Sequence, residues 1–485
     1  MRVVLIDPPT SFDQIYGDWD LSAVDTYCPP LGLLHLASYV REHGHDPYVI
    51  DATGRGWAEK EVVDFALSLN PGIVGLSART INVYNASRIA DGLRGNGFTG
   101  PIVLGGAHVT AVPVATLGRF SSVDYAVIGE GELTLLELIE ALECGREIRD
   151  LEGVAWRDSV GRPVVNPPRP RIQDLDSLPF PAWDLLPNFP GGYPHNALET
   201  KRLPAASVIT SRGCPGQCTF CDTSVFGSKV RQHSAEYTLR MIRHLRSTYG
   251  VRDLMFLDDN FLLDRKKLFA VCDGMIKEEM GLTWYCMGHA KLFTEDRLTR
   301  IRDAGCWFIE LGIESGSDRI LKIIRKKTTK AEVAEAVRHA REAGLKVKGN
   351  FIFGFPTETR ETLDETIDFA RKIGLSYFQQ NFLTIWPGCE LAVDAESCGT
   401  VERDWRKLAH QRVTFVPNGL TEAELLEASK RAFRRFYVRP RVILEVLGYG
   451  VSSWRAAGAI LGALRVFLGT VLWRGARRGD ERYAG

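Results

Sequence analysis

Short apolar runs separated by stretches of helical period fill the first third of the chain. Val3 to Ile6, Tyr48 to Ile50, Ile73 to Leu76, Ile102 to Leu104 and Tyr125 to Ile128 have the length and apolar content of buried strands. Between them, Leu31 to Arg41, Val62 to Leu69, Val83 to Arg94 and Thr134 to Leu142 place apolar residues at helical spacing, the first stopped by Gly44. This alternation predicts a doubly wound parallel sheet over residues 1–150, an α/β domain. Ligands on such sheets bind at the carboxyl ends of the strands. The residues there are Asp7-Pro8-Pro9, Ser77-Ala78-Arg79-Thr80, Gly105-Gly106-Ala107-His108 and Gly129-Glu130-Gly131-Glu132.

Residues 151–200 read as a linker, with a hairpin-like piece at Gly153 to Trp156 and a proline-rich passage. From 201 to 390 the alternation resumes. Strands are expected at Ala206 to Thr210, Asp253 to Leu257, Leu282 to Cys286, Trp307 to Ile313, Val347 to Phe353 and Tyr377 to Leu383. Six such units predict a partial (β/α)6 barrel, whose chemistry gathers at the carboxyl ends of its strands. The pattern over 391–485 is helical, including Glu422 to Phe436. An apolar helix over Val451 to Trp473 is interrupted by Arg455 and Arg465. Those arginines exclude a comfortable membrane span. They suit either a helix on an anionic membrane surface, with contact through 441–475, or a helix packed on the barrel.

Composition narrows the class. At 485 residues the chain exceeds one ordinary core. Hydrophobic content of 45% and charged content of 25% are those of a globular protein, and a formal net charge of zero points to no nucleic-acid partner. Ten cysteines, three of them massed at one site, suit a reducing cytoplasm better than a disulfide framework. The apolar run at the N-terminus is too short for a signal peptide.

The massed cysteines are Cys214, Cys218 and Cys221, in the loop after the first barrel strand. Zinc usually takes four protein ligands, and no fourth stands nearby at finger spacing. Three thiolates would leave one iron of a [4Fe–4S] cluster open to an outside ligand; the plain alternative is three cysteines clustered in a loop. The C-x3-C-x2-C spacing resembles the signature of the radical S-adenosylmethionine (SAM) enzymes. That resemblance implies that the open iron chelates SAM and that the cluster releases a 5′-deoxyadenosyl radical from it. It also implies an external electron donor of flavodoxin or ferredoxin type.

Other positions follow from the same resemblance. Phe220 matches the aromatic position whose backbone touches the SAM adenine. Asp258 and Asp259, at the second strand's end, match a contact to the SAM ammonium and are not separable in the sequence; a solvated turn is the plain alternative. Glu314, in Gly312-Ile313-Glu314-Ser315-Gly316, would bond the SAM ribose or its methionine part. Ile352 lies on the strand that packs against adenine. Cys389 and His289 lie near the barrel mouth, the first more simply a small apolar side chain, and Cys286 and Cys306 read as core.

The first domain resembles the Rossmann-like cobalamin-binding domain that precedes many radical SAM cores, through Pro29-Pro30-Leu31-Gly32-Leu33, Gly105-Gly106-Ala107-His108 and Gly129-Glu130-Gly131-Glu132. Cobalamin contacts are then expected from Ser77, Arg79, Thr80, Gly105, Gly106, His108, Gly129, Glu130 and Gly131. The D-x-H-x-x-G motif that supplies cobalt's lower histidine in mutases is absent. His108 and His35 are the alternatives, with His35 read as structural. Taken whole, the chain resembles the cobalamin-dependent radical SAM proteins, a group of methyltransferases that also includes the anaerobic cyclase of bacteriochlorophyll synthesis. The implied activity is methyl transfer from SAM, by way of cobalt, to an unactivated carbon of a small-molecule or lipid-like substrate. The alternatives are a radical cyclisation or rearrangement without methyl transfer, and a non-catalytic sensor.

Overall fold

The structure, a computed structural model, describes residues 1–11, 14–15, 27–193 and 199–445. The first sheet has seven strands. Five are parallel: β1 (Arg2–Asp7), β2 (Asp46–Asp51), β3 (Ile73–Ser77), β4 (Ile102–Gly105) and β5 (Tyr125–Val127). They are nearly free of solvent because helices cover both faces: α1 (Leu31–Glu42), α2 (Glu59–Ser68), α3 (Val83–Gly95) and α4 (Gly131–Cys144). Chain order reverses between β1 and β3, so the strand ends there open a crevice.

The hairpin expected within the linker is present as β6 (Val154–Arg157) and β7 (Pro163–Val165). It is no free connector, because β6 pairs antiparallel with β5 and extends the first sheet. The prolines after it hold the chain extended as it crosses to the second domain.

That domain is built on six parallel strands in sequential order: β8 (Ala205–Val208), β11 (Asp253–Phe256), β12 (Thr283–Gly288), β13 (Cys306–Glu314), β14 (Lys346–Phe353) and β15 (Tyr377–Phe382). β8 and β15 are edges, so the barrel is partial. Its outer helices are α5 (Ala235–Tyr249), α6 (Arg265–Lys277), α7 (Glu295–Asp303), α8 (Lys330–Glu342) and α9 (Arg360–Lys372). Local signals fix their starts. Ser234 caps α5 by accepting from the Tyr237 N–H, and Thr329 and Glu332 form a reciprocal box at α8. The eleven parallel strands of the two sheets each lie within two residues of their expected positions, since apolar runs of that length are long enough to specify buried strands.

Beyond residue 391 the purely helical expectation is corrected. Gly399–Val401 (β16) and Phe415–Pro417 (β17) pair antiparallel, and their short Thr-Val and Phe-Val runs favour strand over helix. The turn between them carries Trp405 back to the first domain, where its ring lies 4.3 Å from that of His108. The helix α10 (Glu422–Tyr437) packs Phe436 against Phe378 of β15, ring centroids 5.3 Å apart. Most of the segment expected at a membrane surface, 441–475, lies outside the described residues. At its described start Val442 is buried and Arg441 donates to the Gly374 carbonyl oxygen, so that turn packs on protein. Among the described residues no helix is long and apolar enough to cross a membrane.

Candidate active site

The cysteine loop is pinched at its base by a two-stranded ribbon, β9 (Ser211–Arg212) and β10 (Arg231–Gln232). Gly213 turns the chain into the loop at φ 92°, where a Cβ would stand 2.6 Å from the Lys229 carbonyl oxygen. Glycine alone fits there. Cys214, Cys218 and Cys221 are free thiols. A Cβ on Gly216 would lie 3.3 Å from Cys214 Sγ and 3.9 Å from Cys218 Sγ, so a side chain there would crowd the space between those sulfurs. Burial pushes the Cys221 thiol up to about 12 and raises Cys218, while the nearby Lys326 ammonium opposes both shifts. Metal ligation reverses such shifts by replacing the proton. Among the described residues no three Cys, His, Asp or Glu side chains converge on a single-ion site. A cluster places its thiolates on separate irons, so three spaced thiols suit it as a donor set.

The positions expected around SAM divide. Asp258 is buried, its Oδ1 accepting from the Thr210 N–H at 3.1 Å, the Thr210 hydroxyl at 2.9 Å and the Ser211 hydroxyl at 2.5 Å, with Oδ2 sharing the Thr210 N–H at 3.2 Å. The Lys267 ammonium completes this network on Thr210. Asp258 therefore braces the start of the cysteine loop, whereas Asp259 faces the cavity described below. Glu314 ends β13 in a left-handed conformation, φ 68°, and its carboxylate meets Lys326 Nζ at 2.8 Å. Phe220 packs on Phe355, ring centroids 5.3 Å apart, and with Ile352 borders an apolar cluster containing Ile324 and Cys389. Cys389 is buried there, and Cys286 and Cys306 are core. His289 Nε2 lies 3.2 Å from the Lys326 carbonyl oxygen.

Sequence reasoning missed Lys326. Its ammonium is buried and held charged by Glu314, with the cysteine thiols Cys218 and Cys221 contributing to the same field. The signal available was the basic run Arg325-Lys326-Lys327, just past the short helix Asp318–Ile323 that follows Glu314.

Above the carboxyl ends of the first sheet lies a cavity of about 560 Å³. Ser77, Arg79, Gly105, Gly106, Gly129, Glu130 and Gly131 line it, as expected for a cradle. Thr80 and His108 do not; they bond each other at 3.1 Å, with His108 buried beneath Trp405. Burial lowers His108 to about 4, which keeps it neutral. Gly106, at φ 110°, lets the loop close on Ala78, because a Cβ there would stand 2.7 Å from the Ala78 carbonyl oxygen. At Gly105 a Cβ would find only Val127, at 4.0 Å, and at Gly129 nothing within 4 Å. These two glycines leave open backbone where a large flat group could approach. Below them Leu5, Val103 and Val127 of the sheet face Leu33 and Leu36 of α1 across an apolar slot. Open backbone above an apolar slot fits cobalamin, a wide macrocycle with a planar base on its tail.

The opposite wall of the same cavity is Ser211, Arg212, Gly213, Cys214, Asp222 and Asp259. The cradle and the cysteine loop therefore share one chamber. Glu130, expected as a cofactor contact, gives its oxygens to arginines of the barrel domain: one accepts from Arg212 at 3.1 Å, the other from Arg231 at 2.7 Å. Glu132 also binds Arg212, at 2.5 Å. His35 lies in the cavity wall near this group, buried and lowered to about 4 chiefly by that burial. Its Nδ1 is buried without a hydrogen-bond partner.

Comparisons with known proteins agree with this layout. The family profile described as B12 binding domain matches residues 20–139, and that described as Radical SAM superfamily matches residues 208–370. The chain is 34% identical over 474 residues to the uncharacterized methyltransferase PH0819 of Pyrococcus horikoshii, covering 96% of this chain and 99% of that protein. It is 29% identical to the anaerobic magnesium-protoporphyrin IX monomethyl ester cyclase of Rubrivivax gelatinosus, over 90% of this chain and 78% of that one. The fold is shared with the radical SAM methyltransferase TsrM of Kitasatospora setae, solved with cobalamin and a [4Fe-4S] cluster: TM-score 0.70, 18% identity, 96% of this chain and 98% of that one.

Proposed function

From a chain that belongs to the cobalamin-binding radical SAM enzymes, we propose a methyltransferase that moves a methyl group from SAM to an unactivated carbon of a small molecule. The single observation that carries this reading is the shared chamber, with the Gly105–Gly106 and Gly129 cradle on one wall and Cys214 on the other. Bound together, the cluster, SAM and cobalamin supply a hydrogen-abstracting radical and a methyl donor.

The chain's own residues bind, orient and exclude water. Cys214, Cys218 and Cys221 hold the cluster. Phe220 and Ile352 flank the adenine. Glu314 accepts from the polar part of SAM while Lys326 neutralises its carboxylate at 2.8 Å. Asp259 takes the ammonium contact, since it faces the cavity while Asp258 is buried on Thr210 and Ser211. Ser77 and Arg79 would help hold cobalamin beside the open backbone of Gly105 and Gly129. The reducing electron comes from an external donor of flavodoxin or ferredoxin type.

The cyclase relative favours a second reading, radical oxidation or cyclisation without methyl transfer. Product analysis separates the two. With methyl-labelled SAM and a turned-over substrate, methyl transfer yields S-adenosylhomocysteine and 5′-deoxyadenosine in equal amounts and label in the organic product. Substrate turnover with 5′-deoxyadenosine alone refutes the methyltransferase.

A further inference from the structure

We propose that Arg212, Arg231, Glu130 and Glu132 are positioning residues: a buried ionic knot that holds the cysteine loop in fixed register over the cradle. The inference rests on the functional reading above, because it concerns the two cofactors which that reading assigns to the two walls of the chamber.

Arg212 and Arg231 are cross-strand partners in the ribbon that closes the base of the loop. Arg212 stands two residues before Cys214. Its guanidinium bridges both glutamates, Nη1 to Glu130 at 3.1 Å and Nη2 to Glu132 at 2.5 Å. Arg231 Nη1 reaches the other Glu130 oxygen at 2.7 Å and also donates to the Ile172 carbonyl oxygen at 2.6 Å. The Ile172 N–H returns to Glu130 at 2.9 Å. On the opposite side Glu130 follows Gly129 directly, and Glu132 lies in the first turn of α4. Each of the four side chains is at least nine-tenths buried, with exposures of 3–7%.

Two arginines against two glutamates cancel in formal charge, so the knot leaves no net charge in the interface. Such a cluster adds little net stability over an apolar contact of the same size, because desolvation offsets attraction. Its distinctive contribution is orientation. A planar guanidinium satisfies two carboxylates only in a narrow range of angles, whereas an apolar contact tolerates sliding. Chemistry shared between two bound cofactors depends on their alignment. The residue expected to touch the cofactor is thus committed to fixing where the cofactors stand.

The test uses the full chain, reconstituted anaerobically with iron, sulfide and hydroxocobalamin. Glu130→Gln and Glu132→Gln keep size and one acceptor oxygen while removing a charge. Pulsed paramagnetic resonance reads the distance distribution between reduced cobalamin and reduced cluster, alongside the ratio of 5′-deoxyadenosine to S-adenosylhomocysteine. The expected result is normal iron and cobalamin content, loss of the single narrow distance seen in the wild type, and a rise in the product ratio. An unchanged narrow distance and an unchanged ratio overturn the proposal. Should Glu130→Gln fail to fold, Glu132→Gln and Arg212→Lys decide, since both leave Glu130 paired with Arg231. If the wild-type protein retains only one cofactor, the functional reading fails instead. Hydrogen exchange of the apoprotein then decides the knot: Glu130→Gln must speed exchange at the Cys214 amide, which is bonded to the Gly227 carbonyl oxygen at 3.2 Å, and an unchanged rate overturns it.

Discussion

Two neighbouring glycines offer a controlled perturbation of the cradle, because the same methyl group meets different surroundings at each. At Gly105 an added Cβ has only Val127 nearby, at 4.0 Å, and projects toward the cavity. Gly105→Ala should therefore change the stability of the unloaded protein by no more than about 0.5 kcal/mol. In the loaded protein the methyl stands where the corrin approaches. Overpacking a fitted contact costs about 1–3 kcal/mol, a loss of roughly 5- to 150-fold in cobalamin affinity. At Gly106 the order inverts. Its φ of 110° disfavours any side chain, and the Cβ would lie 2.7 Å from the Ala78 carbonyl oxygen and 3.1 Å from the Ala78 nitrogen. Backbone strain alone costs about 1–3 kcal/mol, before any displacement of the Ala78 loop. Gly106→Ala should thus lower the melting temperature of the unloaded protein, with weakened cobalamin binding as a consequence. The assays are thermal melting of the cofactor-free chain and cobalamin titration followed by absorbance. Gly105→Ala that melts normally and binds cobalamin as tightly as the wild type would refute the cradle.

Other predictions follow from single contacts. Lys326→Met leaves the Glu314 carboxylate buried and unpaired, at a cost of about 3–5 kcal/mol; iron content should persist while SAM cleavage is lost, and Glu314→Gln in the same chain should recover part of the lost melting temperature. Cys214→Ala, Cys218→Ala and Cys221→Ala should each abolish iron loading and the reductive cleavage of SAM to 5′-deoxyadenosine, whereas Cys389→Ala, in the apolar cluster, should leave iron content intact. Burial holds His108 at about 4, below its ordinary 6.5, so its neutral form favours the folded state. That contribution is complete above pH 6.5 and is lost as pH falls toward 4, by about 2 kcal/mol between pH 7 and pH 5. In His108→Phe the difference in melting temperature between those two pH values should shrink; an unchanged difference would place the effect elsewhere.

Strands and the cysteine loop were legible because their signals are local. An apolar run such as Ile73 to Leu76, or three cysteines within one loop, needs no knowledge of distant partners. Asp258 and Asp259 were not separable until the sheet was in place. The turn after β11 then sends them different ways, Asp258 into the Thr210 network and Asp259 into the cavity. Lys326 and the ionic knot were invisible for a related reason: their partners are 12 to 101 residues away, and charge pairing at that range leaves no periodicity to read. Glu130 was expected only at a cofactor, and its two arginine partners went unseen, since a glycine-flanked glutamate reads alike whether it meets a cofactor or an arginine. The ribbon of β16 and β17 escaped notice because three-residue strands fall below the length at which alternation is informative.

One chamber is proposed to bring cluster chemistry and cobalamin chemistry together on SAM. The most direct measurement is the set of SAM-derived products after anaerobic reduction of the chain loaded with iron, sulfide and hydroxocobalamin, run beside Cys218→Ala. Both S-adenosylhomocysteine and 5′-deoxyadenosine are expected from the wild type, and S-adenosylhomocysteine alone from the variant. 5′-Deoxyadenosine without S-adenosylhomocysteine from the wild type would contradict this proposal.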